Sequence, residues 1–230
     1  MVENEIISYL EMCRREGMSL QRGMNFRLKD GYSVILMSVQ PNAPYKDRYE
    51  DSGAVLIYEG HDVPRSNSET DPKRCDQPYY TASGRLTENG KFYEAAKASM
   101  QGVGEDHFVR VYEKLRQGIW SYNGVFRLED ADIEHDGHRN VFKFRLKAIE
   151  EPDRGFTKKE SLKGRQRIIP TAVKLEVWKR DKGKCVMCGS DDELHFDHII
   201  PYSKGGTSVS AANVQLLCAR HNIQKSSKIE

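Results

Sequence analysis

Two short pairs of metal-seeking residues stand near the end of this 230-residue chain, Cys185-x-x-Cys188 and Cys218-x-x-His221. A tight turn ending at Gly189 would let the first two sulfurs point at one ion. A helix opening at the second pair would turn its side chains back to that ion. Three thiolates and one imidazole suit tetrahedral zinc, whose structural sites are closed at four ligands. A domain of roughly sixty residues has a small core, so a metal staple supplies stability that burial alone does not.

Between the pairs lies Asp197-His198, on the short apolar run LHFDHIIP. A carboxylate oxygen can hold a hard cation such as Mg²⁺ or Mn²⁺. The neighbouring imidazole, whose pKa lies near neutrality, can remove a proton from an attacking water. The cation would then stabilise charge on a scissile phosphate and its leaving oxygen. An isolated Asp-His pair is usually a satisfied surface pair, and the flanking metal pairs are what raise this one. Lys204, Lys225 and Lys228 surround it and could contact phosphates, or else are solvated surface lysines. The charge balance points the same way: residues 151–230 hold 15 Lys or Arg against 10 Asp or Glu, whereas residues 1–150 hold 21 against 24. A basic segment favours a phosphate backbone, because each neutralised phosphate releases counterions.

The CxxC, DHIIPYSKGG, NVQLLC and closing HN-x-x-K together resemble the HNH, or ββα-metal, nuclease family over residues 168–228. The resemblance implies that His198 is the general base and Asp197 a ligand of the catalytic metal. Asn213 would order the loop and orient His198. Asn222 takes the place of the motif's last histidine, where its oxygen can still ligate Mg²⁺ or Mn²⁺. The fourth zinc position, more often Cys, holds His221. That residue could instead be the third catalytic letter, leaving zinc three cysteines; the zinc role is preferred because a structural site wants four ligands.

The elements that must carry these groups follow from periodicity and turn residues. Ile6, Ile7, Leu10 and Cys13 recur at helical spacing and predict an amphipathic helix over 3–16. GYSVILMSV and GAVLIYEG read as strands, and the Pro- and Asp-rich PNAPYKDRYED between them as a loop. The polar stretch 61–90 reads as a long functional or disordered loop. KFYEAAKASM is helical in pattern, and FVRVYEKLR, GIWSYNGVFRLEDADIE and NVFKFRLKAIE are strands, the last two flanking a turn at 135–140. Residues 151–170 have linker composition. The expected class is α+β, with a helix at 1–17, a curled β-domain at 18–150, a linker at 151–167 and the nuclease-like domain at 168–230.

In the β-domain, Tyr45, Tyr49 and Tyr58 fall among Asp47, Asp51, Glu59, His61 and Asp62. Rings beside carboxylates can stack on a flat ligand and accept from its exocyclic amine, as a nucleobase would require. The alternative is that the tyrosines pack the sheet edge and the acids are solvated. LIYEG, DQPYYTASGRLTENGKFYEAAKA and GIWSYNGVFRLEDADIEHDGHRNVFKFRLKAIE, in that order over residues 25–150, resemble the SRA (YDG) domain, with Tyr122-Asn123-Gly124 at the namesake triplet. That resemblance implies a curved, β-barrel-like (PUA-like) fold that flips 5-methyl- or 5-hydroxymethylcytosine out of duplex DNA. Tyr45 and Tyr58 would sandwich the base, Asp47 (or Asp51 or Asp62) would accept from its amino group, and Glu59 would sit where the family often has Thr.

Joined, the halves suggest a modification-dependent restriction endonuclease in the bacterial cytoplasm, a homodimer if both strands are cut. The rivals are an HNH endonuclease indifferent to modification and a DNA reader that does not cleave. The longest apolar run, SVILMSV, is too short to cross a bilayer, and five cysteines without a signal segment argue against a disulfide framework.

Overall fold

The runs rich in β-branched and aromatic residues form one mixed sheet in the computed structural model, which describes residues 2–64, 71–149, 168–201 and 204–225. Its strands are β1 (Ile6–Ser8), β2 (Met24–Asn25), β3 (Ser33–Met37), β4 (Arg48–Glu50), β5 (Val55–Glu59), β6 (Phe108–Arg116), β7 (Ile119–His135) and β8 (Asn140–Ile149). They lie in the order β2-β3-β6-β7-β8-β5-β4, with β1 added along β7. Among the described residues, only β3 and β6 run parallel. Register shifts at 110/112, 114/116 and 128/130 bend and twist the long strands. The curl is therefore barrel-like, but the sheet stays open: among the described residues no pairing joins β2 to β4. Helix α2 (Glu88–Met100), capped by the Thr87 hydroxyl on the Gly90 N–H, buries Phe92 and Ala96 against Phe126, Phe142 and Phe144.

Two local expectations fail for physical reasons. Residues 3–16 are not one helix: β1 takes Ile6 and Ile7, whose branched side chains suit a strand, and Ser8 then caps α1 (Tyr9–Glu16). Leu10, placed on the apolar face by spacing, is 79% exposed. The expected loop at 41–51 also contains an edge strand, since Arg48–Glu50 pairs with Val55–Ile57.

The C-terminal domain is built from α3 (Thr171–Arg180), an antiparallel pair β9 (Leu194–His198) and β10 (Val214–Cys218), and α4 (Ala219–Lys225). No element was expected at α3. It buries Val173 and Val177 on Leu194, Phe196, Leu216 and Leu217, and Arg180 closes its end by donating to the carbonyls of Ala211 and Val214. Residues 151–167, the expected linker, lie outside the described residues, as does Lys228.

The two domains are stitched together by the first residues of the chain. Asn4 N–H donates to the Tyr122 carbonyl and Tyr122 N–H to that of Glu5, while the Asn4 carbonyl accepts from Phe196 N–H of β9. Leu115, Ile6 and Ile119 join the C-terminal core.

Candidate functional site

The CxxC turn and the start of α4 bring Cys185, Cys188, Cys218 and His221 together, with one ligand atom from each lying within 4.8 Å of the others. His221 presents Nδ1, 3.3 Å from the sulfurs of both Cys185 and Cys218. It thus stands among the three thiols, where a four-ligand site would place it. Burial works to raise the Cys185 thiol, but the N–H groups of Cys218, Cys188 and Met187 outweigh it and bring the pKa down to about 6. A thiol so poised releases its proton readily to a metal.

Asp197 and His198 end β9, paired to Gln215 and Val214 of β10. Lys225 reaches them from α4. Its buried ammonium lies 2.8 Å from Asp197 Oδ2 and 2.6 Å from the His198 carbonyl. Gln215 donates to the same Oδ2, so Oδ1 is the oxygen neither of them takes. Asn222 stands one turn before Lys225 on the same helix face. His198 Nε2 is 2.9 Å from Ser208 Oγ. With the hydroxyl accepting from Nε2–H, the imidazole lone pair rests on Nδ1. Asn213 closes the intervening loop: its Oδ1 accepts from Ile200 N–H and its amide donates to the carbonyls of Ile200 and Thr207. Gly206 passes so close to the Ile200 carbonyl (1.8 Å from where a Cβ would stand) that no side chain fits there.

In the N-terminal domain a cavity of about 410 Å³ is lined by Arg22, Ser38, Tyr45, Asp47, His61 and Trp120, among others. The Asp47 carboxylate accepts from Glu59 N–H (3.0 Å) and Ser38 N–H (3.1 Å). Burial pushes its pKa up to about 7 against the pull of those donors. The His61 ring stacks on Tyr45, centroids 5.0 Å apart and 9° from parallel, and its Nε2 is 2.9 Å from the Tyr58 hydroxyl. Burial holds this imidazole neutral, its pKa down to about 4. Lys73 covers a face of Tyr45, its Nζ 4.2 Å from the ring centroid.

The other pocket candidates are placed differently. Tyr58 is 1% exposed and stands behind His61, not on the cavity wall. Glu59 is buried against Lys143 at 2.8 Å. Asp62 is tied to Arg139 and Lys73, and Asp51 is exposed on the turn after β4. Of the three acids weighed for the pocket, only Asp47 lines the cavity.

The family model described as HNH endonuclease matches residues 185–228, which span the thiol cluster, Asp197-His198, Asn213 and Asn222. The C-terminal domain is an HNH endonuclease domain. Metal-dependent cleavage of DNA phosphodiesters is the chemistry that belongs to it. Among solved structures, the chain is similar to an SUVH5 SRA domain bound to hemimethylated CG DNA, with 25% identity over 65% of this chain and 90% of that one and a TM-score of 0.44. It is also similar to the modification-dependent TagI restriction endonuclease, with 19% identity over 97% of this chain and 76% of that one and a TM-score of 0.41. A third similarity is to the sulfur-binding and SRA domains of ScoMcrA complexed with phosphorothioated DNA, at 17% identity, 67% and 41% coverage and a TM-score of 0.45. No curated protein matches the sequence. Among the described residues, no helix is long and apolar enough to cross a membrane.

Two residues of the HNH domain were missed or misread in the sequence. Ser208, in the run TSVS, carries no pattern that marks it as the partner of His198. Lys225 was left as either a phosphate contact or a solvated surface lysine, yet it is 1% exposed and holds the Asp197 carboxylate and the His198 carbonyl. The spacing HN-x-x-K was its only signal.

Proposed function

We propose that the protein is a modification-dependent DNA endonuclease that takes an extruded 5-methyl- or 5-hydroxymethylcytosine into the N-terminal cavity and cuts nearby phosphodiesters with its HNH domain. The observation that carries this reading is the meeting of Tyr45, Asp47 and His61 at one cavity in a chain that also holds an HNH domain. The volume falls within the usual range for small-ligand pockets. The Tyr45 ring offers the stacking face and the Asp47 carboxylate the acceptor for an exocyclic amine. His61 now fills the slot assigned to the base. Its ring is in contact with Tyr45, so the incoming base stacks there only once the imidazole swings aside, which opens the space between Tyr45 and Tyr58.

Zinc suits the Cys185, Cys188, Cys218 and His221 cluster: a tetrahedron with arms of about 2.3 Å has edges near 3.8 Å, three of the ligand-atom separations are 3.3, 3.3 and 3.9 Å, and all lie within 4.8 Å. Asp197 and Asn222 offer oxygen donors of the kind Mg²⁺ or Mn²⁺ takes. A divalent cation there supplies positive charge to the scissile phosphate. His198 takes the proton of the attacking water through Nδ1, Ser208 and Asn213 hold the ring and loop in place, and Lys225 anchors the strand end. Cutting both strands calls for two chains, hence a homodimer on DNA.

The test is incubation of the purified protein and Mg²⁺ or Mn²⁺ with matched duplexes, unmodified or carrying methyl- or hydroxymethylcytosine, beside a His198→Ala control. Cleavage restricted to modified duplexes and abolished in the control is expected. Equal cleavage of every duplex removes the pocket from the reading, and binding without cleavage leaves a reader.

A further inference from the structure

Lys174 lies on the face of α3 that meets the N-terminal sheet, and it is wholly buried. An ammonium has three hydrogens, and three acceptors of that sheet surround it: Asn123 Oδ1 at 2.6 Å, Glu113 Oε2 at 3.0 Å and Ser121 Oγ at 3.1 Å. Thr171, on the preceding turn of α3, donates to the other oxygen of Glu113. Glu113 and Ser121 are cross-strand partners on β6 and β7, so two adjacent strands shape one receptacle.

The receptacle also borders the cavity. Lys114 and Trp120, the chain neighbours of Glu113 and Ser121, line it. Asn123 donates to the Tyr49 hydroxyl at 2.6 Å, and that hydroxyl lies 3.6 Å from the sulfur of Met37 in the cavity wall. Burying an ion pair gains little over an apolar pair of the same volume, whereas a misplaced one is strongly penalised. A slip of α3 by one residue would strand both Lys174 and Glu113 in the interior without partners. The interface is thus selective for one docking position.

We propose that Lys174 is a positioning residue whose buried ammonium keys the HNH domain to the sheet that walls the base pocket, fixing the distance between the modified base and the phosphate cut. This rests on the function proposed above. The offset is set by a docked interface rather than by the length of residues 150–167. DNA cut at one offset from the base is the product of such a rigid pair, and a ladder of cuts is the product of a loosened one.

The experiment maps cut positions at nucleotide resolution on a duplex with one methylcytosine, using the full chain. Compared are the parent, Ser121→Ala, which removes one acceptor, and Glu113→Gln combined with Lys174→Met, which removes both charges. Melting temperature and bound zinc are measured alongside. The parent should cut one or two phosphates per strand, the double variant at least twice as many, and Ser121→Ala an intermediate number, folded but with its melting temperature lowered by the lost acceptor. A parent-like sharp pattern in a folded double variant, or in Ser121→Ala should the double variant not fold, overturns the proposal. A ladder from the parent itself, still confined to modified DNA, overturns it too while leaving the proposed function standing. Parent cleavage that ignores modification instead removes the proposed function and, with it, the base from which an offset is measured.

Discussion

The ammonium of Lys225, itself buried, lies 2.8 Å from the half-buried carboxylate of Asp197, the residue proposed to offer a cation an oxygen. One protein cation thus holds the carboxylate that the proposed function gives to a divalent metal. Replacing Lys225 with Met leaves Oδ2 to Gln215 alone and unties the His198 carbonyl. Divalent-ion affinity, followed by Mn²⁺ titration calorimetry, should rise several-fold because a competing positive charge is gone. Cleavage should nevertheless fall about 10-fold or more as the ligand strand loosens. Breaking so buried a pair should also cost about 3 kcal/mol of stability in denaturant unfolding.

Ser208→Ala removes the partner of His198 Nε2. The maximal cleavage rate should drop about 10- to 100-fold, as for other groups that orient a reactive side chain, with DNA binding in a filter assay unchanged. Ser208→Thr keeps a hydroxyl and should recover most of the loss. Equal activity of the Ala variant and the parent would show that the imidazole needs no such tether.

Chelation should unfold the C-terminal domain selectively. Cys185 and Cys218 are part of its apolar core beside Leu194 and Leu217, so stripping the ion leaves that core without its staple. One zinc per chain by elemental analysis, and loss of one of two thermal transitions after phenanthroline treatment, are the expected readouts. Cys188→Ser should behave like the stripped protein.

Asp47 and His61 titrate in opposite senses. The Asp47 pKa is raised from 3.8 to about 7, so its stabilising share is full below the unfolded value and is lost as pH rises through 7. The His61 pKa is depressed from 6.5 to about 4, so its share is full above 6.5 and is lost as pH falls toward 4. Between pH 4 and 6.5 the two offset each other. A His61→Gln variant should therefore lose thermal stability relative to the parent as pH climbs from 4 to 6.5, in a fluorimetric melt at each pH.

In the proposed pocket Asp47 accepts from the amine of the base, and an ionised carboxylate is the stronger acceptor. Affinity of the His198→Ala protein for methylated duplex should rise relative to unmodified duplex between pH 6 and 8, by fluorescence anisotropy at constant salt. Asp47→Asn should flatten that rise. A rise that survives the substitution would assign the titration to another group.

What could be read from the sequence was chemistry held in short spacings. Cys185, Cys188, Cys218 and His221 are two local pairs, and their ligand types alone bring them to one ion. The strands at 33–37 and 55–59 were visible because their residues are β-branched or aromatic and bounded by turn formers. Contacts across long separations were not. Nothing local marks Ser208 for His198, Lys174 for Glu113, or Ile6 for a strand whose partner is more than a hundred residues away. Ile6 and Leu10 fitted helical spacing equally well, and pairing to β7 decided the matter. His61 stood in the predicted cluster, but only packing shows that it occupies the slot assigned to the base.

The strand at residues 6–8 and the backbone just before it have a consequence for how such proteins can be recombined. Asn4 and Glu5 hydrogen-bond to Tyr122 on one side, and Asn4 to Phe196 on the other. The HNH domain as a transplantable unit therefore consists of two pieces far apart in the gene. A chimera that exchanges only residues 168–225 would set a foreign β9 against an edge shaped for another sequence. Grafts that carry residues 4–8 with the nuclease should be the ones that fold.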